Sequence, residues 1–292
     1  MNISAIGNGK DFLFPTQLRA LPSLNATREA ATLSDRYKFI STMNVIETLA
    51  KHDWFPVSAQ EQKVKTLSRI GFQKHMVRFR RSGDTPQAVG DIIPEIVLTN
   101  SHDGFTKYNF MLGLFRMACL NGLIVSEATF ASIKIMHVGY EEKDVLDASY
   151  KVIEDVPKIT GRVKEYRAIP LNPKDQENFA ESALVLRYAR EDSKTKRDGA
   201  NFAIDDRSFN LPALLQPRRE DDRDPNLWNT YNVVQEKLTK GNTFERTTRE
   251  INGRIVHKRK VQGITGIDAN LQINRGLWHL MDKMAELKGA RA

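Results

Sequence analysis

The chain is 292 residues long, with 44 Lys and Arg against 36 Asp and Glu and a formal net charge of +8 at pH 7. Its 40% hydrophobic and 27% charged residues fit a globular protein of one large or two small domains and are too apolar for a disordered one. A single cysteine, Cys119, excludes an intrachain disulfide and a cysteine-rich metal cage. No apolar run reaches the roughly 18 residues of a membrane span, and the opening MNISAIGNGK lacks a basic-then-apolar leader, so a cytoplasmic protein with no membrane partner is expected.

Residues 1–33 carry Gly, Pro, Asn and scattered aromatics without periodicity and read as an N-terminal arm or an irregular lead-in. Ser34 or Asp35 is placed to cap a helix bearing Tyr37, Ile40, Val45, Ile46 and Leu49, which ends near Lys51 before Asp53-Trp54-Phe55-Pro56. Three strands are then expected, at Val64–Ile70, Gln73–Arg81 and Pro94–Thr99. In the second of these, His75, Val77 and Phe79 point one way while Lys74, Met76, Arg78 and Arg80 point the other, so one face packs while the other presents a basic row. Asp103-Gly104 signals a tight turn, with Phe105–Phe110 returning as a strand.

The apolar run Met111–Leu120, with Leu112, Phe115 and Cys119 at helical spacing and Asn121-Gly122 as its stop, reads as a helix. Short strands at Leu123–Val125 and Ser132–His137 precede an amphipathic helix at Glu141–Val156. Asn172-Pro173 opens a helix reaching about Arg190, followed by a polar loop at Glu191–Asn201. A helix from about Asn226 to Lys240 leads through Gly241-Asn242 into a basic segment that Asn252-Gly253 folds into a hairpin, and Leu271–Leu287 closes the chain as an amphipathic helix. The order gives an α+β fold: an antiparallel sheet of three to five strands packed against helices, then a mainly helical C-terminal half. The expected divisions are the arm at 1–33, an α+β core with the basic strand at 34–170, and the helical half with its basic hairpin at 171–292, separate or packed with the core.

Charge is concentrated. Lys63–Arg81 holds seven basic residues and no acidic one, and Lys237–Lys260 holds eight opposed only by Glu245 and Glu250. These segments carry +7 and +6, which leaves −5 on the rest of the chain. A slightly acidic body with two basic segments is the pattern of a polyanion binder, the plainer alternative being solvated strands balanced by Glu220, Asp221, Asp222 and Asp224. Candidate phosphate contacts are Lys74, Arg78, Arg80 and Arg81 on the strand, with Arg254, Lys258, Arg259 and Lys260 on the hairpin. Trp54, Phe79 and Tyr108, with Phe55 and Phe105, are the aromatics available for base stacking, which favours single strands because their π-faces are free.

Catalytic signatures are sparse. None of the histidines is spaced as a paired metal motif on one helix, and no phosphate-binding glycine loop or nucleophile elbow occurs. His102-Asp103 near Glu95 is the nearest thing to a local cluster, and a hairpin turn accounts for it. The Glu220–Asp224 carboxylates are interleaved with Arg218, Arg219 and Arg223, as a salt-bridge network would be. Neither a cofactor nor a metal is expected, nor enzymatic activity.

Asn100–Gly104, then Gly113–Leu123 (GLFRMACLNGL), resembles a phage- and plasmid-borne family known as domain of unknown function 932. Gln216–Asp222 (QPRREDD), Asn226–Asn229, Asn232–Lys237 and the ending Ile267-Asp268, Asn274, Leu277-Trp278 fit the same family, over about residues 35–285. The resemblance implies a mobile-element setting. A looser likeness to the core of single-strand annealing recombinases lies in the order helix (Tyr37–Trp54), antiparallel strands (through Phe110), helix (Met111–Asn121). That likeness implies a ring- or filament-forming homo-oligomer that grips single-stranded DNA by its backbone, with an exonuclease or a single-strand-binding protein as fitting partners. The leading expectation is therefore ATP-independent annealing of complementary strands. The alternatives are a non-catalytic phage or plasmid regulator, such as a host inhibitor, acting through protein contacts, and third a metal-dependent nuclease using His102, Asp103 or Glu220–Asp224.

Overall fold

The computed structural model describes residues 5–6, 12–83, 92–116, 121–124, 132–135, 142–188, 209–251 and 254–289. The chain divides into two compact units, Met1–Thr160 and Gly161–Ala292.

The first unit is built on an antiparallel sheet of seven strands: β1 (Ala5–Ile6), β2 (Trp54–Glu61), β3 (His75–Arg81), β4 (Ile92–Asn100), β5 (Tyr108–Arg116), β6 (Asn121–Ile124) and β7 (Ser132–Ile135). They run in the order β1-β2-β3-β4-β5-β6, with β7 also pairing β5. The four long strands β2–β5 are sequential neighbours, as short connections between antiparallel strands favour. Partners across the register share a face. Pairings such as Val77↔Leu98 and Ile96↔Leu112 gather Val77, Phe79, Ile96, Leu98, Phe110, Leu112 and Leu114 on one buried side. Helix α2 (Thr42–Ala50) reaches that side, where the Thr42 hydroxyl lies 2.8 Å from His75 Nε2. Helix α3 (Glu142–Glu154) packs against β4, β5 and β7, and its stripe of Val145, Ala148 and Val152 is buried as the spacing predicts.

Three local expectations are corrected. Met111–Arg116 is not helical but the second half of β5. This strand pairs β4 on one edge and β6 and β7 on the other, and every position in it is buried. A strand covered on both faces shows a continuous apolar run, which periodicity alone does not separate from a buried helix. Residues 117–120, with Cys119, lie outside the described residues. Helix α2 begins at Thr42 rather than Ser34: Ser34 makes an isolated turn through its carbonyl and Tyr37 N–H, while the Ser41 side chain accepts the Asn44 N–H as N-cap. Val64–Ile70 holds a single 3-10 turn, Leu67–Arg69, instead of a strand. The segment before residue 33 is an irregular lead-in that packs on the first unit. It contains α1 (Pro15–Arg19), buries Leu13, Leu18, Leu21 and Leu24, and hydrogen-bonds Pro56, Glu61 and His102 through Leu13, Ser23 and Ala30.

Helix α4 (Val156–Ala168) runs across the boundary. The second unit then packs α5 (Pro173–Tyr188), α6 (Leu211–Leu215), α7 (Leu227–Lys240) and α8 (Ile267–Leu287) together. Caps appear where the sequence puts them. Asn172 accepts the Asp175 N–H at 2.9 Å ahead of Pro173, and Asn226 accepts the Asn229 N–H at 2.9 Å. Trp228, Tyr231, Trp278 and Tyr166 form an aromatic centre with ring centroids 5.6–6.4 Å apart. The Asp282 carboxylate, buried beside it, accepts from Tyr166 Oη and from Arg162 at 2.6 Å; burial, then the bond to Asp282, holds the Tyr166 hydroxyl well above the usual phenol range. Between α7 and α8 stands the hairpin β8 (Gly241–Ile251) and β9 (Arg254–Gln262). Gly241, at φ +67°, lets α7 turn directly into β8; a side chain there would meet the Gly263 backbone nitrogen at 2.1 Å. The expected loop at Glu191–Asn201 and the Asn252-Gly253 turn lie outside the described residues.

Candidate nucleic-acid interface

Strand β3 alternates as the sequence predicts, but its basic row is internal. It lies between β2 and β4, and one position beyond the Phe79↔Ile96 pair its neighbour on β4 is Glu95. The Glu95 carboxylate accepts from Arg78 at 2.6 Å through one oxygen and from Arg80 at 2.8 Å through the other. Arg78, Arg80 and Glu95 are 7%, 6% and 1% exposed, and the Arg80 guanidinium sits 4.2 Å from the Phe115 ring centroid. Each guanidinium meets one oxygen of the shared buried carboxylate, and Arg80 Nε has no hydrogen-bond partner among the described residues. A phosphate would have to displace Glu95 to reach them, which corrects the expectation of an open row. Lys74 is half-buried and Arg81 is exposed. The expected stacking residues are corrected too: Trp54, Phe79 and Tyr108 are core side chains.

The hairpin keeps its cations at the surface. Lys258, Arg259 and Lys260 on β9 are all exposed, and none forms an ion pair among the described residues. The backbone of Arg254 starts β9, while its side chain lies outside the described residues, as do those of Arg246 and Arg249.

A second basic surface lies where the chain between β2 and β3 meets the β4–β5 loop. The Phe72 carbonyl accepts the His102 N–H at 2.9 Å, and Asp103 Oδ2 accepts from Arg69 at 2.7 Å (Nη2) and 3.2 Å (Nε). The same guanidinium lies 5.2 Å from the centroid of the Phe105 ring, which is 81% exposed. Lys63 and Lys65 precede this turn and Lys107 follows the aromatic; all three are exposed without an ion pair among the described residues. Phe105 is one of the aromatics the sequence offers and Arg69 belongs to the basic run, but their pairing depends on a contact across 36 residues of chain. Lys107 stands alone in sequence and carries no signal of its own.

Several carboxylates at or beside the nuclease alternative form ion pairs with arginines. Asp103 holds Arg69 and Glu95 holds Arg78 and Arg80. Asp222 and the buried Glu236 hold Arg219 at 3.3 and 2.7 Å, and Glu220 holds Arg223 at 2.9 Å, which is the salt-bridge network the interleaved charges suggest. Among the described residues no group of three or more His, Cys, Asp or Glu could hold a metal ion. His102 is fully buried beside His75, with ring centroids 5.1 Å apart, and Thr42 Oγ1 approaches both Nε2 atoms at 2.8 and 3.4 Å. Burial, then the neighbouring His102, pushes His75 down to about 3, so the ring stays neutral and serves as a strut between α2 and β3.

Among the described residues no helix is long and apolar enough to cross a membrane. No solved structure matches the chain. Among curated proteins it is 31% identical over 266 residues to "UPF0380 protein YafZ" of Escherichia coli (strain K12), covering 91% of this chain and 89% of that protein. It is 30% identical over the same length and coverage to "UPF0380 protein YfjQ" of the same organism. The family model described as Domain of unknown function (DUF932) matches residues 30–278, close to the span over which the sequence motifs resemble it. The chain therefore belongs to the DUF932 family.

Proposed function

We propose that the chain is a non-catalytic single-stranded-DNA-binding protein that promotes ATP-independent annealing of complementary strands, working as a homo-oligomer in the cytoplasm during recombination of a mobile element. The observation that carries this reading is the run Lys258-Arg259-Lys260 on β9, three successive exposed cations that form no ion pair among the described residues, with Glu245 the carboxylate opposite Lys260 in register. Cations that the fold does not neutralise are free to replace condensed counterions on a polyanion, and their release drives salt-sensitive binding. Contacts of this kind grip phosphates and leave bases free to pair, which annealing requires. The buried Arg78 and Arg80 support the fold in this reading, and the phosphate contacts pass to the hairpin and to Lys63, Lys65, Arg81 and Lys107.

Fluorescence anisotropy of a labelled single strand across a salt series tests it, with strand pairing measured next without ATP. Replacing Lys258, Arg259 and Lys260 by Glu is expected to weaken binding and lower the slope of log affinity against log salt by about 2, at roughly 0.7 per lost phosphate contact. Absence of wild-type binding at low salt refutes the reading and leaves the basic segments to an acidic protein partner. Full binding by the triple variant refutes the role of β9.

A further inference from the structure

We propose that Phe105 is a base-stacking platform, held in place by Arg69 and Asp103, that makes the chain prefer unpaired bases over duplex; this rests on the single-strand-binding reading above. A large aromatic at 81% exposure is unfavourable in water, and here the loop is built to keep it there. Asp103 Oδ1 accepts the Phe105 N–H at 3.2 Å and Ser101 Oγ accepts the Thr106 N–H at 2.9 Å, so the backbone on both sides of the aromatic is tied down. Gly104 takes φ +78°, and a Cβ there would lie 2.6 Å from Leu33 Cδ2, so the turn is seated against the segment ahead of α2. Arg69 is fixed by two hydrogen bonds to the other Asp103 oxygen with its guanidinium 5.2 Å from the ring centroid, which fixes the ring with a cation beside it. One carboxylate thus orders both members of the pair.

A rigid exposed aromatic next to a guanidinium, with Lys107 two residues after the ring and Lys63 and Lys65 in the run that leads to Arg69, matches what single strands offer: a free π-face joined to phosphates. A duplex offers the phosphates but keeps its π-faces stacked. One aromatic per chain holds one base and leaves its neighbours available for pairing, so the platform is compatible with annealing.

The experiment compares wild type, Phe105→Ala and Phe105→Trp on three labelled probes of equal length: oligo-dT, a duplex, and an abasic strand that carries phosphates without bases. Phe105→Ala is expected to bind oligo-dT about ten-fold more weakly while its duplex and abasic affinities and its salt slope stay at wild-type values. Phe105→Trp should retain or raise the oligo-dT affinity, with quenching of the new indole on binding. The residue is exposed, so the Ala variant keeps the wild-type far-ultraviolet circular dichroism spectrum. Unchanged oligo-dT affinity in Phe105→Ala overturns the platform while leaving the binding function standing, and assigns Phe105, with the exposed Leu67 and Ile70, to a protein contact. A wild type that binds none of the three probes overturns both. Equal loss on the abasic strand also overturns it, because the loss then comes from phosphate contact.

Discussion

Acidification should loosen the first unit through His75 by an amount that follows from its surroundings. The ring is fully buried, its Nδ1 sits 3.2 Å from the Gln73 carbonyl, and its Nε2 faces the Thr42 hydroxyl at 2.8 Å. The Gln73 carbonyl accepts from Nδ1, and it is burial, then the neighbouring His102, that disfavours a second proton on the ring. The folded state takes up a proton near pH 3, whereas an unfolded histidine does so near 6.5. Between those values the unfolded chain binds more protons, so this contribution is fully present above about pH 6.5 and is lost as pH falls toward 3. At pH 5.5 the loss is about 1 kcal/mol and at pH 4.5 about 3 kcal/mol. Hydrogen exchange at β3 amides reads this locally, so unfolding of the second unit does not enter. After correction for intrinsic rates, wild type should lose about ten-fold more protection than His75→Gln between pH 7.5 and 5.5. Parallel losses in the two proteins would refute the assignment of His75 as a neutral strut.

Glu95→Gln removes the one carboxylate that Arg78 and Arg80 share, leaving two buried guanidiniums without their counter-charge. Urea denaturation should show a loss of about 3–5 kcal/mol, and a loss below about 1 kcal/mol would mean that the guanidiniums reach solvent or another anion. Gly104→Ala forces a side chain into φ +78° and against Leu33, with an expected cost of about 1–2 kcal/mol and weaker oligo-dT binding as Phe105 loses its seat. A thermal shift of the purified variant checks the first part and anisotropy the second; wild-type values in both would show that the turn does not depend on glycine.

The parts of the fold legible in sequence are those fixed by short-range rules. Asn226 and Asn172 can cap because an amide oxygen two or three residues ahead of the first free N–H groups is all a cap needs, and α5 and α7 start where those residues stand. The hairpin and α8 follow from a helix-ending Gly241 and a sustained apolar stripe. Met111–Arg116 was beyond those rules because Leu112 and Phe115 have helical spacing, and only pairing with strands on both edges decides for β. The same holds for the segment before residue 33, whose leucines have no local periodicity but fill the core.

The candidate site divides in the same way. Sequence alone determined that positive charge is concentrated in two segments of a slightly acidic chain, that Arg78 and Arg80 share a strand face, and that Lys258, Arg259 and Lys260 lie on a hairpin arm. Tertiary structure decided which of these charges face water. Glu95 is an isolated acid within an apolar strand, and only strand register sets it against Arg80 and turns a basic row into a buried ion pair. Arg69 and Phe105 are likewise unrelated until the β4–β5 loop folds against the turn before β3. The physical reason is common to both: a charge or ring is defined for function by what neutralises or covers it, and those partners come from chain segments whose distance along the sequence carries no information about their distance in space.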